Sequence, residues 1–275
     1  MLKSLYFIGI FIFSSSLANE IQPFLFGGNN ATRGQFKYFG SLRYVLGNVE
    51  VHGCGSSILN TRWSLTAAHC TDIEIGIDID RLDMVVGTVE LADPGIRYNI
   101  VEILNHPKYV NLDLSVIGIY WVLNDISLVK TDRSIEFNDY VQPIQIERNP
   151  IRRNTIATFA GFGKSDTSIA GSFWTDYMQY TQLTTLSEIQ CRNRVTWLYL
   201  RGQIPFLPFV MDNICTEAPE NVGICFGDSG SGLVINDRVV GVASYILGEC
   251  PSGFPEFFTR VSSFANWIDS HINEL

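Results

Sequence analysis

A mostly-β fold, sandwich or barrel, is what this sequence predicts, and three observations carry that reading. Short runs rich in Val, Ile, Thr, Tyr and Phe recur along it, among them "FGSLRYVL" (39–46), "IRYNIVEILN" (96–105), "TIATFAGFG" (155–163) and "RVVGVASYIL" (238–247). Gly, Asn, Asp or Pro punctuates the intervals, as expected where each run is a strand and each interval a turn. Only the last segment has helical spacing. In "VSSFANWIDSHINEL" (261–275) the residues Val261, Phe264, Trp267, Ile268 and Ile272 recur at three to four residues, which predicts an amphipathic helix docked on the body.

Composition sets the outer limits. Of 275 residues 46% are hydrophobic and 17% charged, so the chain can bury a large core in one or two domains. Its formal net charge of −9 argues against nucleic acid and anionic membrane surfaces as partners. The polar stretch "TDRSIEFNDYVQPI" (131–144) ends in proline and reads as a linker near the midpoint. At the N-terminus, Lys3 precedes the apolar run "LYFIGIFIF" (5–13) and the small residues that follow it. That order predicts a signal peptide over 1–18, cleaved after Ala18. The run is too short to span a bilayer, so the expected product is secreted and extracellular, without a membrane anchor.

Six cysteines, Cys54, Cys70, Cys191, Cys215, Cys225 and Cys250, form an even set in an exported chain and predict disulfides. Their pairing is open from spacing alone. The absence of any C-x-x-C or compact Cys/His cluster disfavours zinc.

Chemistry concentrates in "GICFGDSGSGLV" (223–234), a Gly-rich turn holding Ser229 between Asp228 and Gly230. Such a turn could merely join two strands. A nucleophilic serine, however, needs a base within hydrogen-bond reach and a third group to orient that base. Of four histidines, His52 in "VHGCG" reads as structural, His106 in "NHPKY" opens a turn, and His271 rides the terminal helix. His69 ends the apolar "WSLTAAHC", locked beside Cys70, and is the candidate base. For the orienting carboxylate Asp113 competes with Asp125, which runs into the apolar "ISLV".

The motifs "LTAAHC" (65–70), "NDISLV" (124–129) and "GDSGSG" (227–232), in that order, resemble the chymotrypsin-like (trypsin-fold) serine protease family. The order His, Asp, Ser differs from the subtilisin and α/β-hydrolase arrangements. The resemblance implies two antiparallel six-stranded β-barrels, over 25–140 and 141–275, ending in the C-terminal helix. It implies Ser229 as nucleophile, His69 as general base and acid, Asp125 as orienting carboxylate, and the amides of Gly227 and Ser229 as oxyanion hole. It pairs Cys54 with Cys70, Cys191 with Cys215, and Cys225 with Cys250. It also implies a zymogen: a short propeptide over 19–24 is cut by an activating protease, and the freed amine of Leu25 pairs with Asp228. Here the cut follows Phe24 and precedes "LFGG", where the family commonly has a basic residue and "IVGG".

The specificity pocket implied is Gly223, Ile224, Phe226, Ser244, Tyr245, Ile246 and Glu256. Gly223 stands where trypsin-like members have aspartate, and Ile246 narrows the entrance as in elastase-like members. Glu256 closes the rear: charged and reachable it would attract a basic P1 residue, whereas burial behind Ile224 favours a protonated or hydrogen-bonded carboxyl. A preference for aliphatic P1 residues follows, with aromatic second and basic third. Partners are protein or peptide substrates and protease inhibitors. No metal or cofactor is needed; the acids of "TDIEIGIDIDRLD" (71–83) read as a solvated loop. Asn30-Ala31-Thr32 is an N-glycosylation sequon. Between Cys191 and Cys215 the apolar "TWLYLRGQIPFLPFV" (196–210) makes the interval longer than usual and is expected to pack on the second barrel, or else to form an exposed contact loop. The competing class is a catalytically inactive homologue acting as a binding or cofactor protein, disfavoured by the intact set of three.

Overall fold

The computed structural model describes residues 28–46, 49–72, 78–114, 119–164, 174–208, 210, 212–217 and 222–273. The predicted signal peptide 1–18, the propeptide 19–24 and Leu25 lie outside these. In chain order the strands are β1 (Asn29–Asn30), β2 (Phe39–Leu46), β3 (Val49–Ile58), β4 (Trp63–Thr66), β5 (Leu82–Val86), β6 (Ile96–Asn105), β7 (Val110–Leu114) and β8 (Ile119–Leu123). They continue with β9 (Ser127–Thr131), β10 (Gln145–Ile146), β11 (Ile156–Gly163), β12 (Trp174–Thr185), β13 (Asn213–Glu217), β14 (Gly232–Ile235), β15 (Arg238–Tyr245) and β16 (Glu256–Arg260). Two helices are α1 (Glu188–Leu200) and α2 (Ala265–Ile272).

Two closed antiparallel barrels of six strands result. The first runs β2-β3-β4-β9-β6-β5. The second runs β12-β11-β14-β15-β16-β13 and closes through pairing of β12 with β13. β1 adds to β12 and β10 runs parallel to β15, while β7 and β8 form a separate hairpin between the turn at His106 and Asp125. Closure leaves few unpaired edges, which suits many short strands. Alternation does the sorting: in β12, Thr181, Leu183 and Thr185 are buried while Gln182 and Thr184 are exposed. Inside the second barrel Phe159 meets Phe258 edge to face at 5.6 Å.

α2 stands where the helical spacing placed it, with Ala265 and Ile268 buried. The His106 ring packs edge-on against Phe264 and Trp267 at 5.0 and 5.1 Å. α1 was not read from the sequence as a helix. It starts with a capping box, Ser187 Oγ accepting from Gln190 N and Gln190 Oε1 from Ser187 N. Its Val195 and Leu198 join Ile204, Val210, Leu247 and Phe257 in one buried cluster, so the apolar interval packs on the second barrel. Trp197, Tyr199 and Leu200 stay exposed. Among the described residues no helix is long and apolar enough to cross a membrane.

Candidate active site

β4 is buried along its whole length and runs through the fully buried Ala67 and Ala68 into one turn of 3-10 helix, Ala68–Cys70. The disulfide Cys54–Cys70 ties that turn to β3. His69 projects from it beside Asp125, which follows Asn124, a residue in the left-handed region at φ 50°. His69 N donates to Asp125 Oδ1 at 2.9 Å and His69 Nδ1 to Oδ2 at 2.7 Å. Ser244 Oγ adds a third bond to Oδ2 at 2.5 Å, and Thr259 Oγ1 holds the Asp125 carbonyl at 2.8 Å.

Burial alone would raise the Asp125 carboxyl. The facing His69 and the hydrogen bonds from His69 and Ser244 outweigh it and hold the pKa below the usual carboxylate range. Burial likewise opposes charge on His69, but the Asp125 carboxylate outweighs it and raises the imidazole pKa. With Nδ1–H committed to Asp125, Nε2 keeps its lone pair. Asp113, the competing carboxylate, falls on β7 instead.

Ser229 sits on the turn before β14. Its carbonyl accepts from Gly55 N at 2.7 Å, and Gly230 N bonds the Ala243 carbonyl at 2.9 Å. Gly230 has φ 77°, and a Cβ there would meet Thr66 Oγ1 at 2.2 Å and Gly55 O at 2.4 Å. Among the described residues neither Gly227 N–H nor Ser229 N–H bonds another backbone group, which leaves both donors for a ligand oxygen. No hydrogen bond joins Ser229 Oγ to His69 among the described residues, although both line one cavity of about 440 Å³. Contacts of this kind commonly tighten only with substrate bound.

The same cavity is lined by Ile224, Phe226, Ser244, Tyr245 and Ile246. Gly223 and Glu256 are not on its surface. Glu256 lies behind Ile224, accepting from Ile224 N at 2.7 Å and Thr216 Oγ1 at 3.1 Å, while a Cβ on Gly223 would reach its Oε1 at 2.5 Å. Burial pushes the Glu256 carboxyl up to about 8. Sequence reasoning missed four lining residues: Asn111, Cys225, Ala243 and Gly248. Cys225 and Ala243 adjoin predicted pocket positions and Gly248 lies two residues beyond Ile246; Asn111 arrives on the β7–β8 hairpin, for which no local motif exists.

Asp228 is also buried. Gly163 N donates to its Oδ1 at 2.8 Å and Cys225 N to its Oδ2 at 2.9 Å, and burial raises its pKa to about 7. The disulfides Cys191–Cys215 and Cys225–Cys250 are present. Cys54, His69 and Cys70 lie close enough to hold a metal, but disulfide formation consumes both thiols. Asn30 of the sequon accepts a hydrogen bond from Gln179 Nε2 at 2.5 Å.

Two closed antiparallel six-stranded barrels make the trypsin fold, and here Ser229 and the Asp125-bonded His69 line one cavity. A model of the trypsin family matches residues 25–268, and the chain belongs to that family of serine proteases. It is 29% identical over 245 residues to serine protease SP24D of Anopheles gambiae, covering 89% of this chain and 79% of that protein. Collagenase of Hypoderma lineatum is 30% identical over 254 residues, 90% of this chain and 86% of that one. Chymotrypsin-2 of Vespa crabro is 30% identical over 246 residues, 89% and 98%. Among solved structures, human heparin binding protein superimposes with a TM-score of 0.69 at 26% identity, covering 90% of this chain and 97% of that one.

The environment of Glu256 sets a pH dependence of stability. Its folded pKa near 8 exceeds the ordinary 4.5, so the unfolded chain releases this proton first. The stability Glu256 contributes is fully present below pH 4.5 and is lost as pH rises through 8. Glu256→Gln keeps an acceptor for Ile224 N without the titration. Urea unfolding across pH 5 to 8 is expected to show wild type losing ground steadily against the variant; parallel pH profiles would refute the assignment.

Proposed function

We propose that this chain is a secreted serine endopeptidase that cleaves through an acyl-enzyme, with Ser229 as nucleophile, His69 as base and Asp125 as orienting carboxylate. The observation that carries the reading is the doubly bonded His69–Asp125 pair, at 2.9 and 2.7 Å, opening onto the cavity that Ser229 also lines. Ser229 Oγ attacks the scissile carbonyl carbon as its proton passes to His69 Nε2. The oxygen gains negative charge and takes hydrogen bonds from Gly227 N–H and Ser229 N–H. Asp125 stabilises the imidazolium so formed without taking its proton. Collapse breaks the C–N bond, and His69 gives its proton to the leaving amine. Water then repeats the sequence in reverse roles, which releases the acid and restores Ser229.

Activation follows the same logic. The amine of Leu25, freed by cleavage after Phe24, pairs with Asp228 and orders the oxyanion turn. In support, Asp228 is 1% exposed, accepts only two amide bonds among the described residues and has a raised pKa. An ammonium would complete its partners. The pocket reading rests on Ile224 and Ile246 on the cavity wall, on Gly223 carrying no carboxylate, and on Glu256 held behind Ile224. Such walls favour aliphatic P1 side chains.

Three outcomes are expected. Ser229→Ala in the activated chain keeps the wild-type urea midpoint but loses peptide hydrolysis and fluorophosphonate labelling. A variant as active as wild type would transfer the chain to the inactive binding or cofactor homologues. Edman sequencing of the active form reads Leu25-Phe26-Gly27-Gly28; active protein retaining 19–24 would refute the Leu25–Asp228 pairing. For matched substrates kcat/KM falls in the order Val, Phe, Arg at P1, with steps of about ten-fold. A preference for Arg would mean that Glu256 faces substrate.

A further inference from the structure

Three hydrogen bonds, the first two buried and the third partly so, run in one direction toward the turn that carries Gly227. Arg43 Nε donates to Ser41 Oγ at 3.2 Å, Ser41 Oγ to His52 Nδ1 at 2.8 Å, and His52 Nε2 to the Gly227 carbonyl at 2.9 Å. Ser41, Arg43 and His52 are 1%, 5% and 4% exposed. Both ends of the chain fix its direction. A guanidinium has donors only, so the Ser41 oxygen accepts from Arg43 and its single proton goes to Nδ1. A carbonyl accepts only, so Nε2 carries the imidazole proton. Burial, assisted by the Arg43 charge, holds the His52 pKa down near 4 and keeps that neutral tautomer.

The guanidinium is itself anchored. Nη1 donates to Glu50 Oε1 at 2.8 Å and to the Leu91 carbonyl at 3.2 Å, and Glu50 Oε2 pairs with Arg97. Among the described residues Nη2 is buried without a hydrogen-bond partner. An incompletely satisfied buried cation is costly where an apolar side chain of similar length would fill the space. Its position at the head of the relay gives it a use.

Gly227 needs that restraint. It has φ 92° and no Cβ, so nothing in its own side chain limits its rotation. Fixing its carbonyl fixes ψ, while Asp228 N bonded to the Cys225 carbonyl at 3.0 Å closes the turn from the other side. Resting on the peptidase reading above, we propose that Arg43 is a positioning residue for the oxyanion turn, acting through Ser41 and His52 on the Gly227 carbonyl and so on the aim of Gly227 N–H.

Two substitutions separate this role from a structural one. Arg43→Gln places an amide nitrogen on Cδ, where Arg43 has Nε, and so keeps the donor to Ser41 while losing the Glu50 ion pair. Arg43→Met loses both. Relay positioning predicts that the Met variant loses about ten-fold in kcat at unchanged KM, and that the Gln variant stays within about two-fold of wild type. Affinity for a peptide aldehyde, which presents an oxyanion, falls in step with kcat; affinity for a non-covalent product peptide does not. Thermal midpoints, which follow the ion pair, drop equally in both. Ser41→Ala, which cuts the chain with Arg43 in place, reproduces the kcat loss should the Met variant not fold. Equal kcat losses in the Gln and Met variants, or unchanged kcat in Met and Ala, overturn the proposal. Wild type that neither hydrolyses peptides nor labels with fluorophosphonate overturns the peptidase reading, and this role with it.

Discussion

The site exists because two barrels approach each other more closely than side chains allow. Gly55 on β3 and Gly230 beside Ser229 face one another: Gly55 N bonds the Ser229 carbonyl, and a Cβ on Gly230 would press to 2.4 Å from the Gly55 carbonyl. A Cβ on Gly55 would in turn come within 2.0 Å of Ser231 Oγ. A methyl group at either position wedges the barrels apart. His69 and Asp125 belong to the first-barrel side of that seam and Ser229 to the second, so the wedge opens the distance on which the proposed proton transfer depends. Displacements of about 1 Å can cost about a hundred-fold in rate, far more than a surface contact is worth. Every other feature of the site presupposes this contact.

Around the seam three buried carboxylates receive opposite treatment. All are desolvated, and desolvation by itself favours the neutral acid. Asp125 faces an imidazole and accepts three hydrogen bonds, so its pKa stays low. Asp228 and Glu256 accept two each and face no described cation, and both are raised, to about 7 and about 8. A neutral Glu256 behind Ile224 leaves the cavity wall apolar. A raised Asp228 is primed to gain from any ammonium that reaches it. Proximity of a positive partner, rather than depth, decides among the three.

Much of this was legible in the sequence, and the rest failed for physical reasons. Short β-rich runs gave a sandwich or barrel, the family resemblance narrowed that to two six-stranded barrels, and 3.6-residue spacing gave α2, because burial is written directly into the residue pattern. His69, Asp125 and Ser229 stand in short stretches whose neighbours are fixed by the same chemistry. α1 escaped because Trp197, Tyr199 and Leu200 are exposed while Val195 and Leu198 are buried, so its apolar residues form no single stripe. Its start was nonetheless written, as Ser187 three residues before Gln190. Glu256 was read as the rear of the pocket, either reachable by substrate or buried behind Ile224; its bond to Ile224 N, between residues 32 apart, puts it behind that wall. Asn111 reaches the cavity only because the β7–β8 hairpin folds over it.

Two histidines show how the fold assigns opposite duties to one side chain. In the mechanism proposed above His69 gains and loses a proton during each turnover, and Asp125 raises its basicity. His52 must do neither. Enclosed between Ser41 and Gly227 and facing Arg43, it would meet a second proton with burial and like charge together, and its pKa falls to about 4. Throughout the pH range in which His69 titrates, His52 therefore stays a one-way link, accepting at Nδ1 and donating at Nε2. Burial and the Arg43 charge together prevent titration, and a group barred from exchanging protons can hold a backbone carbonyl at one angle.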